Sequence, residues 1–171
     1  MPTAWPSPEI RPAVEGDASA IASIYNTYVR DSVVTFEETP VTDAEIARRL
    51  AELLAAGYPW FVAEAETGVV GYAYASPWRT RSGYRFSAEA TVYLAPGLGG
   101  RGLGTALYTR LCAVLRDRGM HAVMGGIALP NEASVALHEK LGFRKVAHFQ
   151  QTGFKFGRWV DVGYWELLLD S

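Results

Sequence analysis

The stretch EATVYLAPGLGGRGLGTAL, residues 89–107, decides the fold of this chain. Residues 91–94 are β-branched, aromatic and apolar and predict a strand, which ends by Pro96 because proline has no N–H for a neighbouring strand. Apolar residues return at helical spacing from Leu103, after five glycines within eight residues. Glycine lets a ligand approach the main chain closely, and the first N–H groups of a helix have no partner inside it. The stretch therefore predicts a strand, a glycine turn and a helix that bind an anion such as a phosphate.

The remaining chain predicts one mixed β-sheet covered by helices. Caps and apolar spacing predict four helices, which begin after Asp17, after Thr42, at Leu103 and after Asn131. Apolar or alternating runs predict seven strands, at residues 10–13, 60–65, 69–76, 86–94, 122–129, 145–154 and 159–169. The run 122–129 is nearly all apolar, which predicts a strand buried on both faces and parallel to the strand before the glycine turn. We therefore expect a single α/β domain with the order β-α-α-β-β-β-α-β-α-β-β.

Length and composition limit the class of protein. The 171 residues, of which 49% are hydrophobic, fit one domain with a sizeable core. A formal net charge of -2 argues against a nucleic-acid partner, and no stretch approaches the roughly 20 apolar residues that span a bilayer. The single cysteine, Cys112, predicts a buried reduced thiol in a cytoplasmic protein, and the three histidines have no metal-ligand spacing, so no metal is expected. We expect a disordered tail over residues 1–8, which hold three prolines, and a domain over 9–171.

The glycines fit more than one kind of phosphate site. Gly97-x-Gly99-x-x-Gly102 matches the dinucleotide fingerprint, but that site needs an acid at the end of the next strand, and the run 122–129 contains none. A P-loop needs Gly-Lys-Ser/Thr, which does not follow these glycines. The third kind is an acyl-coenzyme A site, and the case for it rests on a family resemblance.

Two segments resemble the motifs of the GNAT acetyltransferase superfamily. Residues 99–104, GGRGLG, resemble the signature Arg/Gln-x-x-Gly-x-Gly/Ala, except that Gly99 stands where the family usually has Arg or Gln. Residues 131–143 resemble the family's second motif. The resemblance implies a GNAT-type domain of about seven strands and four helices that uses acetyl-coenzyme A. It implies cofactor contacts at Val92, Tyr93, Leu94, Gly99, Gly100, Arg101, Gly102, Leu103, Gly104, Thr105, Asn131, Ser134 and Lys140.

Four further segments resemble the phosphinothricin N-acetyltransferase branch of that superfamily. The segments are residues 58–64, 71–78, 88–93 and 153–163. Members of this branch acetylate the α-amino group of analogues such as phosphinothricin, methionine sulfoximine and methionine sulfone, and they form homodimers. The resemblance therefore implies a small-molecule amine substrate and a dimer.

Two side chains are candidates for proton transfer. An ammonium group must lose a proton before it attacks a thioester, and Glu89, in the strand that enters the glycine turn, matches the glutamate proposed as the base in the resembling family. An outward-facing strand glutamate is the alternative, and Glu64 is the second candidate for the base. By the same resemblance, His138 is a candidate acid for the departing thiolate, with a core histidine bonded to the backbone as its alternative.

The amine pocket is expected in the basic loop over residues 77–85. Arg79, Arg81 and Tyr84 of this loop, together with Phe36 and Tyr93, are the candidate substrate contacts. Arginine presents a charged fork to carboxylate, sulfone or phosphinate oxygens, and the resembling branch has basic residues at both arginine positions. A solvated loop is the alternative interpretation. Two other functions stay open: a GNAT enzyme that acetylates a polyamine or a protein N-terminus, and a non-catalytic coenzyme A binding module.

Overall fold

The computed structural model describes residues 8–169, and its elements follow the order predicted from the sequence. The prediction of a tail at residues 1–8 therefore falls almost entirely outside the described residues. The strands are β1 (Glu9–Pro12), β2 (Trp60–Ala65), β3 (Gly68–Pro77), β4 (Ser87–Leu94), β5 (Ala122–Leu129), β6 (Arg144–Lys155) and β7 (Arg158–Leu168). The α-helices are α1 (Ala18–Asp31), α2 (Asp43–Ala55), α3 (Leu103–Asp117) and α4 (Glu132–Lys140).

The seven strands form one mixed sheet in the order β1-β2-β3-β4-β5-β7-β6. Among the strands of residues 8–169, β4 and β5 alone are parallel neighbours, as the strand-turn-helix-strand pattern predicts, and β7 lies between β5 and β6. The parallel pairing is short, because it runs from Ser87 with Ala122 only as far as Glu89 with Met124. In contrast, β4 stays paired with β3 up to Leu94. The sheet therefore opens between β4 and β5 directly after Glu89.

Two hydrophobic cores cover the two faces of this sheet. Successive residues of a strand point to opposite faces, and in β2 Phe61 and Ala63 belong to the core under α3, whereas Trp60 and Val62 belong to the core under α1 and α2. The α3 core is centred on leucines of that helix, Leu107, Leu111 and Leu115, none of which is measurably exposed. Helix α3 on one face and helices α1 and α2 on the other are thus held by separate cores.

Among the predicted helix caps, Thr42 and Asn131 agree with the structure and Asp17 differs. Thr42 caps α2 as predicted, because its hydroxyl accepts a hydrogen bond from the Glu45 N–H at 3.1 Å. Asp17 does not cap α1 with its side chain. Its carboxylate instead accepts from the Val14 N–H at 2.8 Å and pairs with Arg11 at 2.8 Å, so it fixes the turn before the helix.

One prediction about burial needs correction. The run 122–129 was expected to be buried on both faces, but Gly126 in the middle of β5 is exposed. It follows Met124, the last residue of β5 that pairs with β4, and so it faces the opening in the sheet. Among the described residues, no helix is long and apolar enough to cross a membrane.

Candidate active site

The opening between β4 and β5 leads into a cleft that contains two adjoining cavities. The large cavity has a volume of about 470 Å³ and extends from the end of β4 over the glycine turn to α4. The small cavity, of about 60 Å³, lies deeper between residues 90–93 of β4 and 126–128 of β5. Five residues line both cavities: Val34, Val92, Tyr93, Asn131 and Ser134. The small cavity is therefore the inner end of the same cleft.

The glycine turn before α3 directs main-chain groups at the large cavity. Gly97, Gly100 and Gly102 have φ angles of 80°, 76° and 81°, in the left-handed region that favours glycine. Gly102 caps α3, and its carbonyl accepts from the Ala106 N–H at 2.9 Å. The N–H groups at the start of α3 have no acceptor inside the helix and carry its positive dipole end. This geometry suits a phosphate or pyrophosphate.

The structure brings most of the sequence-predicted cofactor residues to this cavity and leaves two aside. Arg101 and Leu103 do not line it. Leu103 is only 8% exposed and packs into the α3 core, so just its main chain remains for a ligand. The predicted residues that line the cavity are Val92, Tyr93, Leu94, Gly99, Gly100, Gly102, Gly104, Thr105, Asn131, Ser134 and Lys140.

The main chain of β4 faces the cleft at alternate residues. Tyr108 donates its hydroxyl to the Ala90 carbonyl at 3.0 Å, and Tyr28 donates to the Leu94 carbonyl at 2.6 Å. The carbonyls of Ala90 and Leu94 therefore point away from β3. The N–H and C=O of one residue point to the same side of a strand, and every second residue points the same way. Val92 lies midway between them, so its N–H points into the cleft where β5 no longer pairs with it.

Asn131 and His138 place polar groups on α4 beside the small cavity. Asn131 caps the helix, because its Oδ1 accepts from the Ser134 N–H at 3.1 Å. The His138 Nδ1 lies 2.7 Å from the Ser134 carbonyl and donates to it, so the neutral ring has an unprotonated Nε2. Within the described residues this Nε2 has no hydrogen-bond partner, and it lies so close to Gly125 that a Cβ there would overlap it. Burial lowers the pKa of His138.

Glu89 is the last residue of β4 that pairs with β5, so it lies where the sheet opens. Burial raises the pKa of its carboxyl, and the nearby positive charge of Arg79 opposes that rise. A Cβ at Gly126 would lie 3.3 Å from Glu89 Oε1 and 3.1 Å from the ring of Tyr164, so glycine leaves the space between these two side chains. Glu89 is therefore a partly buried carboxylate with a raised pKa at the rim of the cleft, and it stays the candidate base.

An aromatic wall stands beside Glu89 and was not recognised from the sequence. Trp78 packs edge to face on Tyr164 with ring centroids 5.2 Å apart, and the Arg79 guanidinium lies 4.7 Å from the Trp78 ring centroid. Tyr164 comes from β7, which joins this site only because β7 inserts next to β5. The aromatic side chains of the loop and of the last strand were visible in the sequence, but their proximity depends on that strand order.

Other predicted site residues lie apart from Glu89. Arg81 and Tyr84 are exposed in the loop after β3, and Phe36 packs against Gly153 of β6. Glu64 pairs with Arg11 at 2.6 Å, two strands away from β4, which leaves Glu89 as the candidate base. Within residues 8–169 no group of three or more His, Cys, Asp or Glu side chains could hold a metal ion.

Residues that the sequence left unassigned also line the large cavity. Tyr28 and Val34 come from α1 and the loop that follows it, and Leu137 comes from α4. Nothing in the sequence indicated that these residues face a ligand, because an apolar residue that lines a cavity has the same spacing as one that packs in the core. They show that the cleft has a side-chain wall opposite the glycine turn.

A seven-stranded mixed sheet that opens beside a glycine turn, with a carboxylate at the opening, defines an acyl-coenzyme A dependent transferase. The family model described as acetyltransferase (GNAT) domain matches residues 10–163, and the chain belongs to this family.

Relatives of known name cover nearly the whole chain. The chain is 40% identical to a phosphinothricin N-acetyltransferase of Streptomyces coelicolor, over 92% of this chain and 94% of that protein. It is 40% identical to an L-methionine sulfoximine/L-methionine sulfone acetyltransferase of Salmonella typhimurium, over 95% of each. A phosphinothricin acetyltransferase from Sinorhizobium meliloti, solved in complex with acetyl-coenzyme A, superposes with a TM-score of 0.92 at 39% identity, covering 96% of this chain and 89% of that one.

Proposed function

We propose that this protein transfers the acetyl group of acetyl-coenzyme A to the α-amino group of a small amino-acid analogue, such as phosphinothricin, methionine sulfoximine or methionine sulfone. The observation that carries the proposal is that the partly buried Glu89 carboxylate at the opening of the sheet lies near enough to Arg79 for the arginine charge to lower its pKa. Glu89 can take a proton from the substrate ammonium, and Arg79 can bind the anionic part of the same substrate. The names of the relatives support this substrate class.

The cleft fits acetyl-coenzyme A on two grounds. The N–H groups at the start of α3 suit the pyrophosphate, and the Lys140 ammonium at the end of α4 adds a positive charge to the same cavity. The small cavity beyond Val92 has room for the acetyl group. We assign the cofactor contacts to the predicted residues that line the large cavity, with Arg101 and Leu103 contributing through the turn in which they lie.

The transfer then follows from the positions of three groups. Glu89 takes a proton from the substrate ammonium, directly or through a water, and the free amine attacks the thioester carbon. A C–N bond forms as the C–S bond breaks, and the Val92 N–H stabilises the negative charge on the carbonyl oxygen. The attacking nitrogen loses its second proton to water as the amide forms, and the thiolate takes up a proton from His138 or from water. His138 needs an Nε2 proton for this role, which the lowered pKa makes scarce at neutral pH.

The substrate pocket is proposed around the loop after β3. Arg79 binds the carboxylate or the phosphinate, while Arg81, Tyr84, Phe36 and Tyr93 are its proposed outer contacts. A polyamine is cationic and would be repelled by two arginines, which favours an amino-acid analogue over that alternative. A protein N-terminus is a further candidate, since a ribosomal-protein-alanine N-acetyltransferase from Brucella melitensis superposes with a TM-score of 0.91 at 38% identity.

Release of the free coenzyme A thiol tests the proposal. We expect turnover with phosphinothricin, methionine sulfoximine and methionine sulfone, and none with spermidine or with a peptide whose N-terminal residue is alanine. Turnover only with the peptide would move the assignment to protein N-termini. Acetyl-coenzyme A binding without turnover on any amine would favour a non-catalytic coenzyme A module.

We also propose that the protein is a cytoplasmic homodimer. Large aromatic side chains at the β6–β7 hairpin are exposed, with Phe156 at 57% and Trp159 at 61%, and Phe154 packs on Trp159 at 4.8 Å between ring centroids. Such a cluster suits an interface between two copies. Light scattering should give twice the monomer mass, and Trp159→Ser should lower it. The buried thiol of Cys112, whose pKa is raised by burial to about 11, is compatible with a reducing compartment.

A further inference from the structure

Lys155 is a buried charge that the proposed reaction does not use. It ends β6, and its side chain is 1% exposed. Among residues 8–169, no carboxylate lies within 4.0 Å of its ammonium. Burial lowers the pKa of Lys155, and the more distant carboxylates of Glu38 and Glu37 only oppose this. A lysine is rarely buried without a paired charge, so its position requires an explanation.

The Lys155 ammonium is held by main-chain carbonyls of another part of the chain. It donates to the Thr35 carbonyl at 2.8 Å and lies 3.4 Å from the Tyr28 carbonyl, at the end of α1. It also lies 5.0 Å from the ring centroid of Phe156. These contacts join the β6–β7 hairpin to the α1–α2 loop, which we define as residues 32–42.

The α1–α2 loop forms part of the cleft wall at the point where Lys155 holds it. Val34, the neighbour of Thr35, lines both the large and the small cavity. The Thr35 hydroxyl shares a 2.7 Å hydrogen bond with the Tyr25 hydroxyl, and Phe36 packs against Gly153. The segment 34–36 is thus fixed by α1 on one side and by β6 on the other.

We propose that Lys155 is a positioning residue that sets the acyl-chain selectivity of the enzyme by holding Val34 against the small cavity. The proposal rests on the proposed acetyl transfer. The small cavity, of about 60 Å³, is the narrow inner end of the cleft, so a longer acyl chain placed there comes closer to Val34 with each further methylene. Without the ammonium, the Thr35 carbonyl loses its donor from β6 and Val34 can retreat.

Acyl selectivity separates this role from simple stabilisation. We would measure kcat/KM for acetyl-coenzyme A and for butyryl-coenzyme A with one amine, in the wild type, Lys155→Met and Lys145→Met. Lys145 also lies on β6, but its ammonium lies beside His148 and Trp165, away from the loop, so Lys145→Met is the matched control. We expect the ratio of acetyl to butyryl to fall by about tenfold in Lys155→Met, the scale on which one methylene is discriminated, and to stay unchanged in the control.

The outcomes separate the two proposals. An unchanged ratio in folded Lys155→Met, with normal wild-type turnover, overturns the positioning role and leaves the proposed function intact. Absence of wild-type turnover on any amine overturns both. If Lys155→Met does not fold, Lys155→Gln replaces it, because glutamine keeps a shorter hydrogen-bond donor without the charge. Lys155→Gln should also lower the ratio of acetyl to butyryl. An unchanged ratio in that variant overturns the proposal.

Discussion

The two ends of the cleft differ in whether main-chain or side-chain groups face the ligand. At the glycine turn, the proposed cofactor contacts are mostly main-chain N–H groups and small residues, held by left-handed glycines and by the start of α3. At the rim, the proposed acceptor contacts are side chains: Glu89, and Arg79 beside the ring of Trp78. A main-chain site depends on backbone conformation, whereas a side-chain site depends on which strands are neighbours.

This difference predicts how each end responds to substitution. A side chain that carries a proton or a charge at the rim has no substitute, so its removal should affect the rate or the affinity for the amine. At the glycine turn a substitution should matter only where the backbone has a left-handed conformation. The predictions below test this contrast, beginning with the largest expected effect.

Glu89→Gln should lower kcat by about a hundredfold or more, because a positioned general base contributes roughly 10² to 10⁴. Glutamine keeps the size of the side chain but cannot take a proton. In the wild type, kcat/KM should rise with pH as Glu89 ionises, with a midpoint above 4.5 because burial raises its pKa. That limb should be absent from the rate profile of the variant, measured by thiol release.

Glu64→Gln is the matched control for this change. Glu64 also lies on a central strand and is paired with Arg11, but two strands away from β4. We expect unchanged kcat and a loss of stability of at most about 1 kcal/mol, since the pair is partly exposed. A large loss of kcat in Glu64→Gln together with a small one in Glu89→Gln would mean that Glu64, and not Glu89, is the base.

Arg79→Met should raise the KM of the amine substrate by about tenfold, the range for a hydrogen bond to a charged group. It should also move the acidic limb of kcat/KM to higher pH, because the Arg79 charge lowers the pKa of Glu89. Arg81→Met changes an exposed arginine of the same loop, and we expect at most about a fivefold effect and no shift of the limb. Equal effects in both variants would show that both arginines contact the substrate.

His138→Asn separates the two nitrogens of the ring, because asparagine can still donate to the Ser134 carbonyl but has no counterpart of Nε2. We expect kcat to fall by about tenfold, less than for a full general acid, since burial lowers the pKa and leaves little imidazolium at neutral pH. A loss of a hundredfold or more would instead identify His138 as the principal proton donor.

The stability of the same variant has a pH dependence of known sign. The pKa of His138 is lower in the folded state than in the unfolded chain, so the unfolded chain binds more protons as the pH falls below about 6.5. This favours unfolding in acid. The melting temperature of the wild type should therefore fall more between pH 7.5 and pH 5.5 than that of His138→Asn, as measured by calorimetry in matched buffers.

The contrast between the two ends also explains what the sequence could predict. The glycine turn, its helix and the parallel strands were readable because caps, glycines and apolar runs are local signals. Tyr164 could not be placed beside Glu89, since their proximity depends on the insertion of β7 next to β5. Lys155 gave no signal either, because a lysine at a hairpin end is normally exposed. Leu103 was assigned to the cofactor by the family motif, although the same helical spacing places its side chain in the core.

The smallest expected effect lies at the glycine turn, where Gly99 and Gly100 are adjacent but differ in conformation. Gly100 has a φ of 76°, whereas Gly99 lies outside the left-handed region, and a Cβ at Gly99 would have no heavy atom within 4 Å. We expect Gly99→Gln to leave the dissociation constant of acetyl-coenzyme A unchanged or to lower it, as measured by calorimetric titration. Gly100→Gln has the same free space but must adopt the left-handed backbone, at a cost of about 1 kcal/mol or more, and should weaken binding severalfold. Weaker binding in Gly99→Gln alone would mean that the main chain at Gly99 changes conformation when the cofactor binds, because no heavy atom of residues 8–169 lies within 4 Å of a Cβ at that position.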